Sequence, residues 1–220
     1  MANKKLVLLG GGGHCKSVLD SVLRSGEFSK IVITDPEIEK GTLILGCPVV
    51  GTDDVLSMLK SEGFDYAFIT VGSIGDSRIR MKLVRKAEDI GFNFPVIIDP
   101  SAEIAESASI GAGTFVGKNT VVNADCDIGC HCIINTSAVL EHECTVGDFS
   151  HVSVGAILCG GCRVGFDSFV GAGSVVIQGI TIGNDTVIGA SSTVLTNLGD
   201  HMKVCKFVTR KSVCEVTAEK

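Results

Sequence analysis

The sequence has no tryptophan and one tyrosine among its 220 residues. That scarcity suits a solenoid packed with small and aliphatic residues. The 45% hydrophobic content is carried instead by small and aliphatic side chains. Positive charge is also scarce. The formal net charge is −6, which argues against nucleic acid or an anionic membrane surface as a partner. No apolar run approaches the length of a membrane span. No basic start, apolar run and cleavage site combine near Met1, since Leu6–Leu9 is too short, so a cytoplasmic location is expected. Ten cysteines would suggest a disulfide framework in a short secreted chain. Here Cys126, Cys132, Cys144 and Cys162 recur at one position of a repeat and read as small apolar residues in a reducing compartment.

What is present is a rhythm of six. From Ile104 through Ile110, Val116 and Val122 to Val194, the first position of each six is aliphatic in sixteen cases of sixteen. The fifth is nearly always small, as at Ala108, Thr114, Cys126 and Ser150, with Ile180 and Leu198 the exceptions. The second is often glycine, as at Gly111, Gly129, Gly147 and Gly165. A period of six fits neither an amphipathic helix nor an alternating strand. It fits a solenoid in which each six supplies a short strand and a corner. The fifth position and the next first position are two apart, so both point inward. The aliphatic fills the interior and the small residue leaves room for it. Glycine is expected to let the chain turn at the corner. Ile98 and Ala102 already fall in register around the junction Asp99–Ala102. The expected division is therefore 1–96, 97–198, and a terminal cap over 199–220.

The first segment alternates strand and helix patterns, which implies a parallel sheet. Strands are expected at Lys5–Gly13, running into a glycine loop, at Lys30–Thr34, near Val49, at Tyr66–Val71 and at Phe94–Ile98. Helices are expected over Ser17–Ser25, from Asp53 to Lys60, and from a cap at Asp76 or Ser77 to Ile90. A strand, a glycine turn and a helix start form a phosphate site, or equally a tight turn required by the fold. Cys15 stands where the third glycine of a dinucleotide fingerprint belongs, which argues against a nicotinamide cofactor.

His142, with Glu143 beside it, pairs an imidazole of suitable pKa with a carboxylate able to fix its tautomer. Neighbours on a regular strand point to opposite faces, but His142 is third in its six and belongs at a corner. On the residues alone, a corner histidine facing solvent is the competing reading. Cys126, Cys130, His131 and Cys132 suggest a zinc site. Cys126 and Cys132 belong inside, however, leaving too few ligands, so no metal is expected. Lys203, Lys206, Arg210 and Lys211 form a basic tail, either a contact for coenzyme phosphates or a solvated terminus.

The repeat resembles that of the hexapeptide-repeat acyltransferases. A loop ending in Gly12-Gly13-His14 ahead of such a repeat, with His142-Glu143-Cys144 followed by Ser150–Gly155, resembles the sialic acid O-acetyltransferase and UDP-4-amino-sugar N-acetyltransferase (bacillosamine pathway) group. The resemblance implies a small N-terminal Rossmann-like parallel-sheet unit followed by a left-handed parallel β-helix, three sixes to a coil, assembled as a homotrimer. It implies acetyl-CoA-dependent acetylation of a nucleotide-linked amino sugar, a UDP-4-amino-4,6-dideoxy sugar. Alternatives are O-acetylation of sialic acid or another sugar, and a non-catalytic nucleotide-sugar-binding protein. By resemblance His142 is the base and Glu143 tunes it. His151 touches acetyl-CoA, and the Ala172 and Ala190 backbones meet its pantetheine arm. Gly12, Gly13, His14, Asp35, Gly72, Ser73 and Asn135 hold the nucleotide sugar. Three histidines around zinc, as in β-helix carbonic anhydrases, are not implied. His131, His142 and His151 are 11 and 9 apart, whereas stacked corners of this fold recur at multiples of about eighteen.

Overall fold

The computed structural model describes residues 4–204. Its first elements are β1 (Lys5–Leu9), α1 (Gly13–Ser25), β2 (Lys30–Thr34), β3 (Leu43–Ile44), β4 (Cys47–Gly51), α2 (Leu56–Ser61), β5 (Tyr66–Ile69) and α3 (Arg78–Ile90). The sheet order is β3-β4-β2-β1-β5. β1 pairs in parallel with β2 and β5, and β2 with β4. Leu6–Leu9 is fully buried between helix layers, which explains its unbroken apolar run.

Three expectations fail here. The sheet is not wholly parallel, because β3 runs antiparallel to β4 across a turn at Leu45 and Gly46, both with positive φ. A two-residue strand carries no periodicity by which to find it. α1 starts at Gly13 and not at Ser17, so His14, Cys15 and Lys16 occupy its first turn. Glycine's poor helix propensity hid that start. Phe94–Ile98 is not a fourth strand of this sheet. Asn93 makes a single bridge to Tyr66, and β6 (Ile97–Ile98) pairs with Phe115–Val116 as the first rung of the following prism.

From β6 onward the chain winds through two-residue rungs into three parallel sheets of seven, six and five strands. The second residue of each rung points inward. From Val116 to Val194 these aliphatics are at most 4% exposed. Cys126, Cys132, Cys144 and Cys162 are buried beside them with free thiols. The corners need two different residues. From Gly113 to Ser191 the left-handed turn falls at the fourth position of each six, for example Asn119, Asp125, His131 and Glu143, with φ between 53 and 59°. Glycine at the second position serves another purpose from the one expected. A Cβ on Gly111 would lie 2.5 Å from the Gly129 carbonyl carbon, and one on Gly147 2.8 Å from that of Gly165. Those glycines set the spacing between coils.

The outward residues distinguish the three faces. Phe115, Ile133, His151 and Phe169 form one face, buried under the N-terminal unit. Ser109, Asp127, Thr145, Arg163 and Thr181 form a polar face. Val121, Val139, Ile157 and Val175 form an apolar face that nothing among the described residues covers. Arg24 Nη1 to Asp99 Oδ1 (2.9 Å), Ser21 Oγ to Asp99 Oδ2 (2.6 Å) and a Lys118–Asp20 ion pair tie α1 to the prism.

Beyond Asn197 the prism gains one more rung, Lys203–Val204, on the covered face. Lys203 lines a depression with Arg78 and the acidic Asp76, Asp167 and Asp185. Lys206, Arg210 and Lys211 lie outside the described residues. Among the described residues no helix is long and apolar enough to cross a membrane.

Candidate functional site

β1 lies between β2 and β5, so the loops after β1 and β5 open at the switch point of the sheet, where open α/β folds bind ligands. The two loops touch closely. Gly10 has φ 105°, and a Cβ there would lie 2.7 Å from Val71 Cγ2. Asp35 braces the first loop from behind, accepting from the backbone N–H of Gly11 (2.6 Å), Glu37 (2.8 Å) and Ile38 (3.1 Å). Gly12 is the N-cap of α1 and offers no side-chain cap, leaving the first helical N–H groups available to an anion.

Where this end of the sheet meets the prism lies a pocket of about 460 Å³. Gly13, His14, Ser17, Gly72, Ser73 and Ile74 line it from the N-terminal unit, and Asn135, Thr136, His151 and Val154 from the prism. Five of the seven residues expected on the sugar side therefore converge. Gly12 is exposed, and neither it nor Asp35 lines the pocket. Ser17, Ile74, Thr136 and Val154 were missed. Thr136 and Val154 were findable, because they are eighteen apart and stack on one corner.

His151 belongs to this pocket and not to the neighbourhood of His142. Asn135 Oδ1 accepts from Thr136 N–H (2.8 Å), which leaves Asn135 Nδ2 to donate to His151 Nε2 (3.2 Å). His151 Nδ1 donates to the Ser73 carbonyl (2.9 Å). Both ring nitrogens are thus engaged in a neutral tautomer, and any contact of His151 with a cofactor through Nε2 displaces Asn135. Burial pushes its pKa down to about 4. Burial, with His151 and Arg80 nearby, pushes that of His14 down to about 3. The His14 ring stands edge-on to Phe115, and its buried Nε2 has no partner.

His142 sits on the corner between the apolar and polar faces. Its Nδ1 lies 3.1 Å from Glu143 Oε2. Glu143 holds the left-handed corner conformation, φ 59°, which swings its side chain to the histidine's side and removes the strand-alternation objection. A proton on Nδ1 leaves Nε2 as a free acceptor. Gly160, one coil further on, gives the ring its place, since a Cβ there would lie 2.5 Å from both Cε1 and Nε2. Gly160 was also missed, and it too is eighteen residues from its partner. Ala172 and Ala190 continue the corner of Thr136 and Val154, the pocket's edge. One prism edge, six residues or roughly 20 Å at most, separates that corner from His142.

His131 is walled by Phe149 (5.0 Å, stacked) and Phe94 (4.9 Å, edge-on). Among the described residues no group of three His, Cys, Asp or Glu side chains is disposed to hold a metal ion.

Comparison with known proteins agrees with this architecture. Residues 5–87 match the PglD N-terminal domain family, and residues 161–196 match the bacterial transferase hexapeptide family (six repeats). The acetyltransferase domain of PglB from Neisseria gonorrhoeae FA1090 is 33% identical, with a TM-score of 0.85 over 91% of this chain and 96% of that one. A second structure of that domain holds acetyl coenzyme A, at 35% identity and a TM-score of 0.84, covering 92% and 96%. A histidine-to-alanine mutant of GDP-perosamine N-acetyl transferase from Caulobacter crescentus, in complex with CoA and GDP-perosamine, is 41% identical, with a TM-score of 0.84 over 92% and 93%. No curated protein sequence matches. This chain belongs to the sugar acyltransferases of the hexapeptide-repeat superfamily, and its prism is their left-handed parallel β-helix.

Proposed function

We propose that this protein transfers the acetyl group of acetyl-CoA to the amine of a nucleotide-linked 4-amino sugar, with His142 as general base. The observation that carries the reading is the His142–Glu143 pair on an exposed corner, whose Nδ1–carboxylate contact favours the tautomer in which Nε2 is the acceptor. That nitrogen takes the amine's proton as the amine attacks the thioester carbonyl. The tetrahedral intermediate collapses to the amide, and the proton leaves with coenzyme A as its thiol. The resemblance to a GDP-perosamine N-acetyl transferase crystallised with CoA and its nucleotide sugar supports both substrates. Residues 1–96, with Asn135 from the prism, hold the nucleotide sugar, and 97–198 carry the acyl chemistry. Acetyl-CoA as donor supports a cytoplasmic site of action.

Assembly completes the site. Within one chain His142 and the pocket stand on different corners, at opposite edges of the bare apolar face. A homotrimer that packs those faces together covers Val121, Val139, Ile157 and Val175 and brings one subunit's His142 to its neighbour's pocket. The neighbour's Ala172 and Ala190 then offer their backbone to the pantetheine arm.

The test is coenzyme A release with UDP- and GDP-linked 4-amino sugars and their 4-hydroxy counterparts. Release is expected with an amino sugar, at least about 100-fold faster than with its hydroxy analogue, as sites built for a particular polar group discriminate strongly. The preferred nucleotide also raises the melting temperature, because it binds only the native state. Release with the hydroxy sugars alone, or none that depends on an acceptor, overturns the reading.

A further inference from the structure

Arg80 on α3 has no part in the function described so far, yet it is 3% exposed. Among the described residues no carboxylate lies within ion-pairing distance of it. A buried charge without a counter-ion is costly, so its place calls for a reason. Burial pulls its pKa down to about 10, which leaves it charged at neutral pH. Asp167 attracts it only at longer range, and its hydrogen-bond acceptors are all neutral. Nη2 donates to the His131 carbonyl, and Nη1 donates to the Phe149 carbonyl (3.1 Å) and to Ser73 Oγ (3.2 Å). The first two belong to the prism and the third to the loop after β5. One planar group therefore spans the two units directly behind the pocket. The ring of Phe149 lies against it, 5.8 Å from Cζ to the ring centroid, and Nε has no partner.

The consequence runs through Ser73. The Ser73 hydroxyl is held by Arg80, and its carbonyl receives His151 Nδ1–H at 2.9 Å. His151 Nε2 then faces Asn135 Nδ2, and Asn135 Oδ1 is fixed by Thr136 N–H. We propose that Arg80 is a positioning residue for the nucleotide-sugar pocket: it clamps Ser73 against the prism and so locks His151 in the Nδ1–H tautomer and Asn135 in one amide orientation. Ser73, His151 and Asn135 line the pocket, while Arg80 stands behind it. It acts through them without touching the ligand. A fork with several donors at fixed angles suits this task, and a lysine's single ammonium does not.

The inference rests on the proposed function for its kinetic consequence but not for its structural one. The decisive readout is therefore taken on the ligand-free protein. Imidazole ¹⁵N shifts of His151 at neutral pH are compared in wild type, Arg80→Lys and Ser73→Ala. The wild type is expected to be a single Nδ1–H tautomer. In both variants a substantial Nε2–H population is expected, with the circular dichroism of the folded protein retained. Kinetically, KM for the nucleotide sugar is expected to rise about 10-fold in Arg80→Lys while kcat changes less than about 3-fold, the pattern of lost ground-state binding. A folded Arg80→Lys with the wild-type His151 tautomer and KM within two-fold overturns the proposal. If Arg80→Lys does not fold, the His151 tautomer of Ser73→Ala decides, because that variant cuts the link to the guanidinium and keeps the carbonyl that His151 meets. A wild-type tautomer there is equally fatal. Failure of the transferase reading would appear separately, as absent acetyl transfer by wild type with the tautomer effects intact.

Discussion

His142→Ala is expected to lower kcat/KM for acetyl transfer by about 10²–10⁴-fold, the range typical of a lost general base. The ring is 61% exposed, so little packing is lost and the melting temperature and assembly should match wild type. Glu143→Gln removes the charge and keeps the size. It is expected to cost less, because the base remains and only its tautomer and basicity suffer. Gly160→Ala should act on the same ring by pushing it aside, and small misplacements of reacting groups can cost as much as 10²-fold. A His142→Ala enzyme that turns over near the wild-type rate would remove His142 from the chemistry, since no other imidazole of the described structure combines exposure with a carboxylate at a prism corner beside the apolar face.

Acid is expected to separate folded from unfolded protein well above the carboxylate range. His14 and His151 are held neutral, with pKa values of about 3 and 4, chiefly because burial penalises the charged ring. His131 is depressed to about 4 for the same leading reason. In the unfolded chain each ring takes up a proton near pH 6.5. Below that pH the unfolded state binds more protons, so stability falls as pH falls. The contribution is complete above about pH 6.5 and is lost progressively down towards pH 4 to 3. By pH 5 each ring costs on the order of 2 kcal/mol, a large share of a typical 5–15 kcal/mol total. All three rings lie where the N-terminal unit meets the prism, so that contact should fail first. The measurement is melting temperature from pH 8 to pH 5, with proton uptake on unfolding. A steep fall below about pH 6.5 and an uptake of two to three protons per chain near pH 5 are expected. A flat profile over that range contradicts the burial of neutral imidazoles.

The prism was legible because its repeat is a packing constraint imposed at every coil. An inward column from Val116 to Val194 leaves no register open, and the cysteines at Cys126, Cys144 and Cys162 fit it as small residues. The corners were legible in position but not in mechanism. Glycine at Gly111 or Gly147 looks like a turn residue, yet its use is close stacking, a tertiary fact invisible along the chain. The β3–β4 hairpin and the early start of α1 were hidden because two-residue strands and helices opening on glycine carry no local signal. At the site, Gly13, His14, Gly72, Ser73 and Asn135 do meet in one pocket. His151 joined them instead of His142, because a strand residue and a corner residue of the same solenoid face different sides. Gly160, Thr136 and Val154 follow once eighteen is recognised as the stacking distance. Arg80 does not follow from any pattern, since its partners are two backbone carbonyls and one distant serine hydroxyl that no sequence motif records.

The most direct test of a site shared between subunits is complementation in mixed assemblies. His142→Ala leaves the pocket intact. Gly13→Trp, placed where a side chain meets open space beside α1, fills the pocket and leaves His142 intact. Each variant alone should be inactive. Co-expressed in equal amounts with separate tags and purified through both, each mixed trimer should pair an intact His142 with a neighbour's intact pocket at about one site in three. Acetyl transfer at about a third of the wild-type rate is the expected result. A mixed assembly no more active than either parent would contradict it, placing both halves of the site within one chain.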